Sequence, residues 1–304
     1  MAKSGFIAII GRPNAGKSTL LNEVLGTDVS IVTPKAQTTR NRVLGILTEP
    51  EGQIVFVDTP GVHRAKDGGI NEFMVSEAKE ALQGPSLIWY LVDPFSALHH
   101  ELAVIDLIGQ AEAPIFLVMN KTDLLGKKVT PENLEKFEVE LKAELEGRKA
   151  VVERVFRISA REAQGTKELL KSSWTHIEEG PRYFEDPEQV SDRPTRFFVA
   201  EMIREQLLLK LGEEVPYSCA VEIEVFNESA KPPRIEAVIH VERESQKGIV
   251  VGKGGQKIKE IGQAARERIE AFLGYRVFLG LRVKLLKDWT RDRESLKRMG
   301  YNLP

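Results

Sequence analysis

The sequence predicts two domains of different construction: an α/β domain with a mostly parallel sheet over residues 1–178, and a smaller α+β domain over 196–304. Three observations carry this. Short, near-continuous apolar runs alternate with helical patterns as far as Ile177, as strands buried on both faces between crossover helices would. Residues 179–195 then break the pattern, with Pro181, Pro187 and Pro194 among acidic and polar residues, and read as a linker. Beyond them the pattern changes to alternating strands set between longer helices. A chain of 304 residues also exceeds one ordinary core.

In the first domain the strands are Phe6–Ile10, Ile54–Val57, Leu87–Val92, Ile115–Met119 and Val151–Ile158. Helical spacing covers Ser18–Leu25, Asn71–Leu82 and Pro131–Leu145. In an open parallel sheet, ligands gather at the carboxyl ends of the strands. In the second domain a helix, Arg196–Leu211, precedes two alternating strands, Ala220–Phe226 and Ile235–Val241. A Gly-rich turn follows at Gly252–Gly255, then a helix to Leu273, a strand Val277–Leu286 and a short basic helix. There is no internal repeat and no low-complexity tract.

Composition bounds the function classes. Hydrophobic residues at 42% and charged residues at 29% describe a soluble globular chain. The lone cysteine, Cys219, excludes an internal disulfide and a Cys-based metal cluster, and reads as a small buried strand residue. The chain reaches an apolar strand by Phe6, leaving no room for a removable leader. The longest apolar run, Leu87–Val92, is far too short to span a bilayer. A cytoplasmic location is expected. The net charge of −2 hides an asymmetry. Residues 243–298 hold 15 Lys/Arg against 7 Asp/Glu, a net of +8, so the remainder has 28 against 38, a net of −10. A basic segment in an acidic chain suggests a polyanion site; a solvated helix face is the alternative.

Gly11-Arg12-Pro13-Asn14-Ala15-Gly16-Lys17-Ser18 follows a strand, opens a helix with Thr19, and fits the phosphate-loop pattern. Glycines let backbone N–H groups turn inward around a triphosphate, and the helix N-terminus adds its dipole. Lys17 is placed to reach the β- and γ-phosphates, and Ser18 to offer its hydroxyl to Mg²⁺.

Asn120-Lys121-Thr122-Asp123, after the strand Ile115–Met119, selects guanine over adenine. The Asp123 carboxylate accepts two hydrogen bonds from guanine; adenine would leave it unpaired, at a cost of ~1–3 kcal/mol or more. The Lys121 stem can lie along the purine. Ser159-Ala160-Arg161 follows the next strand and would contact the base through backbone N–H. Asp58-Thr59-Pro60-Gly61 closes the strand Ile54–Val57, with Asp58 on Mg²⁺ through water and the Gly61 N–H on the γ-phosphate. Thr38 and Thr39 lie in the first switch segment, residues 34–42; one of them should close over Mg²⁺, Thr39 being favoured. Val62 takes the place where a Ras-like protein has a water-orienting Gln, and no residue stands out as general base. His63 is nearby. His99, His100 and His176 lack metal-like partners.

Gly252-Lys253-Gly254-Gly255, between the apolar Ile249–Val251 and a helix, has the Gly-x-x-Gly form of a KH domain. Such a loop clamps the backbone of about four nucleotides. Lys247, Lys257 and Lys259 flank it and can neutralise phosphates. The order helix–strand–strand–Gly-loop–helix–strand is similar to the type II KH arrangement, and single-stranded RNA is the expected target. Arg282, Lys284, Lys287, Arg291 and Arg293 would extend the track or form a solvated face.

Taken together, the guanine-nucleotide loops, the linker and the second domain resemble the Era family of bacterial ribosome-assembly GTPases over essentially the whole chain, and Lys35–Arg40 resembles that family's first switch region. The resemblance implies GTP/GDP as ligands, Mg²⁺ as cofactor, the 3′ region of 16S ribosomal RNA as target, transient binding to the pre-30S subunit, and some peripheral membrane association. It also implies slow hydrolysis stimulated by K⁺, held partly by Asn14. A monomer is expected. Three alternatives remain open: a metabolic P-loop kinase, an RNA-modification GTPase of the same class, and a GTP-regulated RNA-binding module without turnover.

Overall fold

The computed structural model of the chain describes residues 2–62, 68–126 and 130–303. His63 lies outside the described residues. The chain divides into two compact units. The first comprises Met1–Ser30, Thr39–Lys66 and Met74–Asp192; the second comprises Ile31–Thr38, Asp67–Phe73 and Arg193–Pro304.

The first half of the chain runs β1 (Lys3–Gly11), α1 (Lys17–Leu25), β2 (Val43–Glu49), β3 (Gly52–Asp58), α2 (Ile70–Glu80), β4 (Leu87–Val92), α3 (Leu98–Ile108), β5 (Ile115–Met119), α4 (Pro131–Glu146), β6 (Val152–Arg157) and α5 (Thr166–Ser173). The sheet order is β2-β3-β1-β4-β5-β6. All neighbours are parallel except β2, which runs antiparallel to β3. Ile7–Ile10 and all of β4 are fully buried, which explains their unbroken apolar runs. Because β1 lies between β3 and β4, the order reverses at its end, and the carboxyl end of β1 is the topological switch point. α4 is set locally: Thr130 accepts from the Asn133 N–H at 3.3 Å, Pro131 occupies the first turn, and Leu134, Phe137, Leu141 and Leu145 share the buried face.

Residues 179–192, expected as a linker, run along this unit. Glu179 bridges to Lys3. The buried Gln53 accepts from the Tyr183 and Phe184 N–H groups at 2.9 and 3.0 Å and donates to the Phe184 carbonyl at 3.0 Å. Further on, the Ile46 N–H donates to Val190 and Ser191 Oγ donates to Leu44.

The remaining elements are α6 (Thr195–Lys210), β7 (Ala220–Asn227), β8 (Arg234–Val241), α7 (Glu244–Val251), α8 (Gln256–Leu273), β9 (Phe278–Leu285) and α9 (Arg293–Arg298). The sheet order is β7-β8-β9, with β7 antiparallel and β9 parallel to β8. Two helices therefore cross between the parallel pair, as the type II KH arrangement requires. The core joins Val199, Ile203 and Leu207 of α6, Ala237 and Ile239 of β8, and Ile261, Ala265 and Ile269 of α8. The second unit also holds its early segments firmly. Arg204 on α6 donates to the Gln37 and Thr38 carbonyls, and Lys35 donates to the Leu211 carbonyl.

Three helices, α3, α5 and α7, were not singled out in the sequence. α3 opens on a polar face, Leu98-His99-His100-Glu101, and buries Val104, Ile105 and Ile108 only later. α7 carries Gly248 and three β-branched residues in eight, a composition poor in helix propensity. Its start is fixed by Gln246 Oε1, which accepts from the Glu242 and Arg243 N–H groups at 3.0 Å. No helix among the described residues is long and apolar enough to cross a membrane.

Candidate functional site

The first site lies at the carboxyl ends of β1, β3, β4, β5 and β6. The loop from Gly11 wraps toward α1, whose N-cap is Gly16 in a left-handed conformation, φ 100°. A Cβ at Gly16 would lie 2.2 Å from Asn120 Nδ2, so both the backbone angle and the space exclude any other residue. Asn14 also has positive φ, 63°. Lys17 is buried, and its ammonium donates to the carbonyls of Gly11 and Arg12 at 3.0 and 2.9 Å. Burial pulls its pKa down to about 8, although the carboxylates of Asp58 and Glu101 oppose this.

Beside it, oxygens converge. Ser18 Oγ donates to Asp58 Oδ2 at 2.7 Å and lies 2.9 Å from Thr39 Oγ1. Ser30, which the sequence reading missed, donates to the same Asp58 oxygen at 2.9 Å. Asp58 is fully buried, and its other oxygen, Oδ1, has no hydrogen-bond partner among the described residues. Burial pushes the Asp58 pKa up; Lys17, Ser18 and Ser30 hold it back. A buried carboxylate oxygen without a partner is costly, and hard oxygen donors with one free carboxylate position fit Mg²⁺, which keeps most of its own waters. No group of three or more His, Cys, Asp or Glu suited to a metal occurs among the described residues. A site that takes its remaining donors from phosphate and water needs none.

The two threonines separate. Thr38 Oγ1 donates to the Lys35 carbonyl at 2.7 Å and meets Thr33 in its own turn, whereas Thr39 faces Ser18. Thr59 is structural, its hydroxyl donating to the Ile9 carbonyl. Pro60 is buried, and the loop passes through Gly61 to Val62, whose N–H donates to the Gly11 carbonyl and whose side chain sits in the core.

The base-side loops are cross-braced. Asn120 Nδ2 donates to the Ala15 carbonyl at 2.8 Å, and its Oδ1 accepts from the Ala160 N–H at 3.0 Å. It thus ties the phosphate loop to the Ser159–Arg161 loop. Ser159 Oγ donates to Asp123 Oδ1 at 2.7 Å and orients that carboxylate. Lys121 is left-handed at φ 63° and pairs with Asp93 at 2.7 Å. The Arg161 side chain is exposed, 3.8 Å from Glu162.

The second site is built on α7 and α8. Gly252 ends α7 at φ 73°, ψ 172°, a region open only to glycine, and Lys253 and Gly254 are exposed between the helices, with Gly255 capping α8. Lys253 and Lys259 are exposed, and no ion pair engages them among the described residues. Lys257 is 2.8 Å from Glu260, and Lys247 is 3.4 Å from Glu244. Behind the loop a groove of about 350 Å³ is lined by Ile258, Gly262 and Arg266 of α8 and Leu279 and Leu281 of β9. The sequence reading missed it, although the i, i+4, i+8 spacing on α8 marks one helix face. The expected extension of the track is taken up elsewhere at two positions: Arg282 and Lys284 both pair with Glu224, at 2.6 and 2.8 Å.

The fold and its loops define a P-loop GTPase domain followed by a KH domain. A family described as 50S ribosome-binding GTPase matches residues 6–121, and the KH domain family matches residues 214–290. The chain is 43% identical to the GTPase Era of Syntrophus aciditrophicus, over 99% of this chain and 96% of the relative. It is 38% identical to the GTPase Era of Staphylococcus haemolyticus, over 98% and 97%. Among solved structures it is similar to Era in complex with MgGDPNP and nucleotides 1506–1542 of 16S ribosomal RNA, with a TM-score of 0.91 and 36% identity over the whole of both chains. A variant of Aquifex aeolicus Era bound to GDP·AlF₄⁻ gives a TM-score of 0.90 and 37% identity, over 99% of this chain and 100% of the other. The chain belongs to the Era family of GTPases.

Proposed function

We infer that this chain binds GTP with Mg²⁺, hydrolyses it to GDP and phosphate, and binds the 3′ region of 16S ribosomal RNA during maturation of the 30S subunit. The observation that carries the reading is the pair of half-buried hydroxyls, Ser18 and Thr39, gathered beside the buried Asp58 carboxylate, whose Oδ1 has no hydrogen-bond partner among the described residues, next to Lys17. Bound there, the metal supplies positive charge against the β- and γ-phosphates. The chain does the rest. Lys17 exchanges its loop carbonyls for phosphate oxygens, Thr39 and Gly61 sense the γ-phosphate, and Asp123 accepts from guanine in the orientation that Ser159 fixes. Arg12, Pro13, Asn14, Ala15, Gly16 and Thr19 complete the backbone cradle. The apolar, buried Val62 leaves water to be placed by other groups, and K⁺ near Asn14 is the reading carried from the family. Equal turnover in KCl and NaCl would remove that ion's role.

For RNA, Gly252–Gly255 grips the backbone, Lys247, Lys253, Lys257 and Lys259 neutralise phosphates, and the α8–β9 groove receives bases. The joined KH domain favours this reading over a metabolic kinase or an RNA-modification GTPase. The reading places a monomer in the cytoplasm with the assembling subunit; peripheral membrane attachment rests on resemblance alone. Nucleotide can alter RNA affinity only through differential binding, and the coupling is reciprocal. The test is crosslinking of bound RNA in cells and in purified pre-30S particles, with and without a non-hydrolysable GTP analogue. Crosslinks near the 3′ end that change with nucleotide support the reading; crosslinks scattered over the RNA, or none, overturn it.

A further inference from the structure

Both the phosphate loop and the base-reading loop are tied to one turn that belongs to neither, residues 93–97 after β4. The turn is self-bracing: Asp93 Oδ1 accepts from the Phe95 N–H at 3.0 Å, and the Asp93 carbonyl accepts from the Ser96 N–H at 2.9 Å. The second carboxylate oxygen, Oδ2, accepts from the Lys121 ammonium at 2.7 Å. At the other end of the turn, Ser96 Oγ accepts from the Arg12 guanidinium. Arg12 also lies 3.7 Å from the buried Glu101, which accepts from the Tyr90 hydroxyl on β4 at 2.9 Å.

We propose that Asp93 is a positioning residue for guanine binding: it tethers the Lys121 ammonium so that the Lys121 stem stands as a fixed wall against the purine face. The inference rests on the nucleotide reading of this site. A lysine stem left free must lose its rotamer freedom when a base packs on it. Here the left-handed backbone of Lys121 sets where the stem starts, and Asp93 sets where it ends. The ordering is then complete before the base arrives, which is preorganisation. Ser96 extends the same turn to Arg12, so the phosphate and base walls share one support.

Both partners are about 30% exposed, 29% for Lys121 and 28% for Asp93. The pair is therefore screened, and its loss should weaken binding by about three- to fivefold. Titration of the full-length protein with GDP and IDP compares wild type, Asp93→Asn, Lys121→Ala and the double variant. Asp93→Asn keeps an acceptor for the Phe95 N–H while removing the charge; Asp93→Ala removes both and shows what the turn itself is worth. The expected result is a three- to fivefold weaker affinity for both nucleotides in Asp93→Asn, an unchanged GDP/IDP ratio, and no further loss when Lys121 is already Ala. An equal loss in both backgrounds would show that Asp93 only shapes the turn. A changed GDP/IDP ratio would show that it acts through Asp123, and no loss would show that the tether is idle; each overturns the proposal. Failure of the wild type to prefer guanine nucleotides over ATP would instead overturn the nucleotide reading beneath it.

Discussion

Single atoms set the chemistry of the nucleotide site. Asp123 has one oxygen committed to Ser159, so the orientation of its carboxylate is fixed by the protein itself. Asp123→Asn should bind xanthine nucleotides in place of guanine, with GDP weakened roughly tenfold to hundredfold, since a mismatched buried bond costs about 1–3 kcal/mol. Competition between GDP and XDP reads this directly, and an undiminished preference for GDP would remove the assigned role. Glu101 allows a second test. Burial raises its pKa above the usual 4.5, against the Tyr90 hydroxyl and Arg12, which lower it. The neutral acid therefore adds stability below pH 4.5, and that stability is lost as pH rises through the raised value. Glu101→Gln should lack this slope, so denaturation series from pH 4 upward should converge or cross with wild type. Parallel curves would show that Glu101 titrates normally. The sequence singled out Ser18, Asp58 and Asp123 from local motifs. Ser30 was invisible because its partner, Asp58, is 28 residues away at the end of β3, while Ser30 lies in the segment after α1. The choice between Thr38 and Thr39 turned on which hydroxyl faces Ser18, and spacing alone does not set that.

At the scale of elements, the Gly-loop between α7 and α8 gives the clearest separation of functions. Lys253→Asp together with Gly254→Asp reverses charge at an exposed tip and leaves the helices' buried faces untouched. RNA affinity should fall by about tenfold or more at physiological salt while GDP affinity stays within about twofold. Filter binding against nucleotide titration checks both halves, and a parallel loss of GDP binding would contradict independence of the sites. The strands of the parallel sheet were legible because burial on both faces leaves an unbroken apolar run. α3 and α7 were not: α3 opens on polar residues and buries its apolar face only later, and α7 owes its start to capping by Gln246 where residue propensity is poor. The Glu224 bridge to Arg282 and Lys284 runs from β7 to β9, across the central strand of one sheet. In the linear sequence those basic residues read as an extension of the RNA track or a solvated face, because the acidic partner is some sixty residues earlier on another strand.

At the scale of the whole molecule, the Pro-rich stretch after Glu178 is a strap along the first unit. Its Tyr183 and Phe184 N–H groups satisfy the buried Gln53, and Val190 and Ser191 bond to β2. A fragment ending at Glu178 should therefore melt below one ending at Asp192. The buried Gln53 Oε1, left without its two donors, alone accounts for about 1–3 kcal/mol, or several degrees for a unit of this size. Equal melting temperatures would show that the strap adds nothing. Proline and acidic composition made this stretch look like a free tether; the bonds that hold it go to positions more than a hundred residues earlier, which no local pattern reports.

The second unit counts Ile31–Thr38 and Asp67–Phe73 among its own parts, although both segments are spelled out within the first half of the gene. One of them is held from inside that unit, Arg204 donating to its Gln37 carbonyl and the Leu211 carbonyl accepting from its Lys35. The two modules are thus interleaved in the chain, not strung one after the other. A chimera that exchanges the RNA-binding half at a single junction near Asp192 would receive a module with two pieces missing, and a recipient with two pieces unclaimed. Transplanting it intact means moving three separate stretches of sequence, two of which lie either side of β2 and β3.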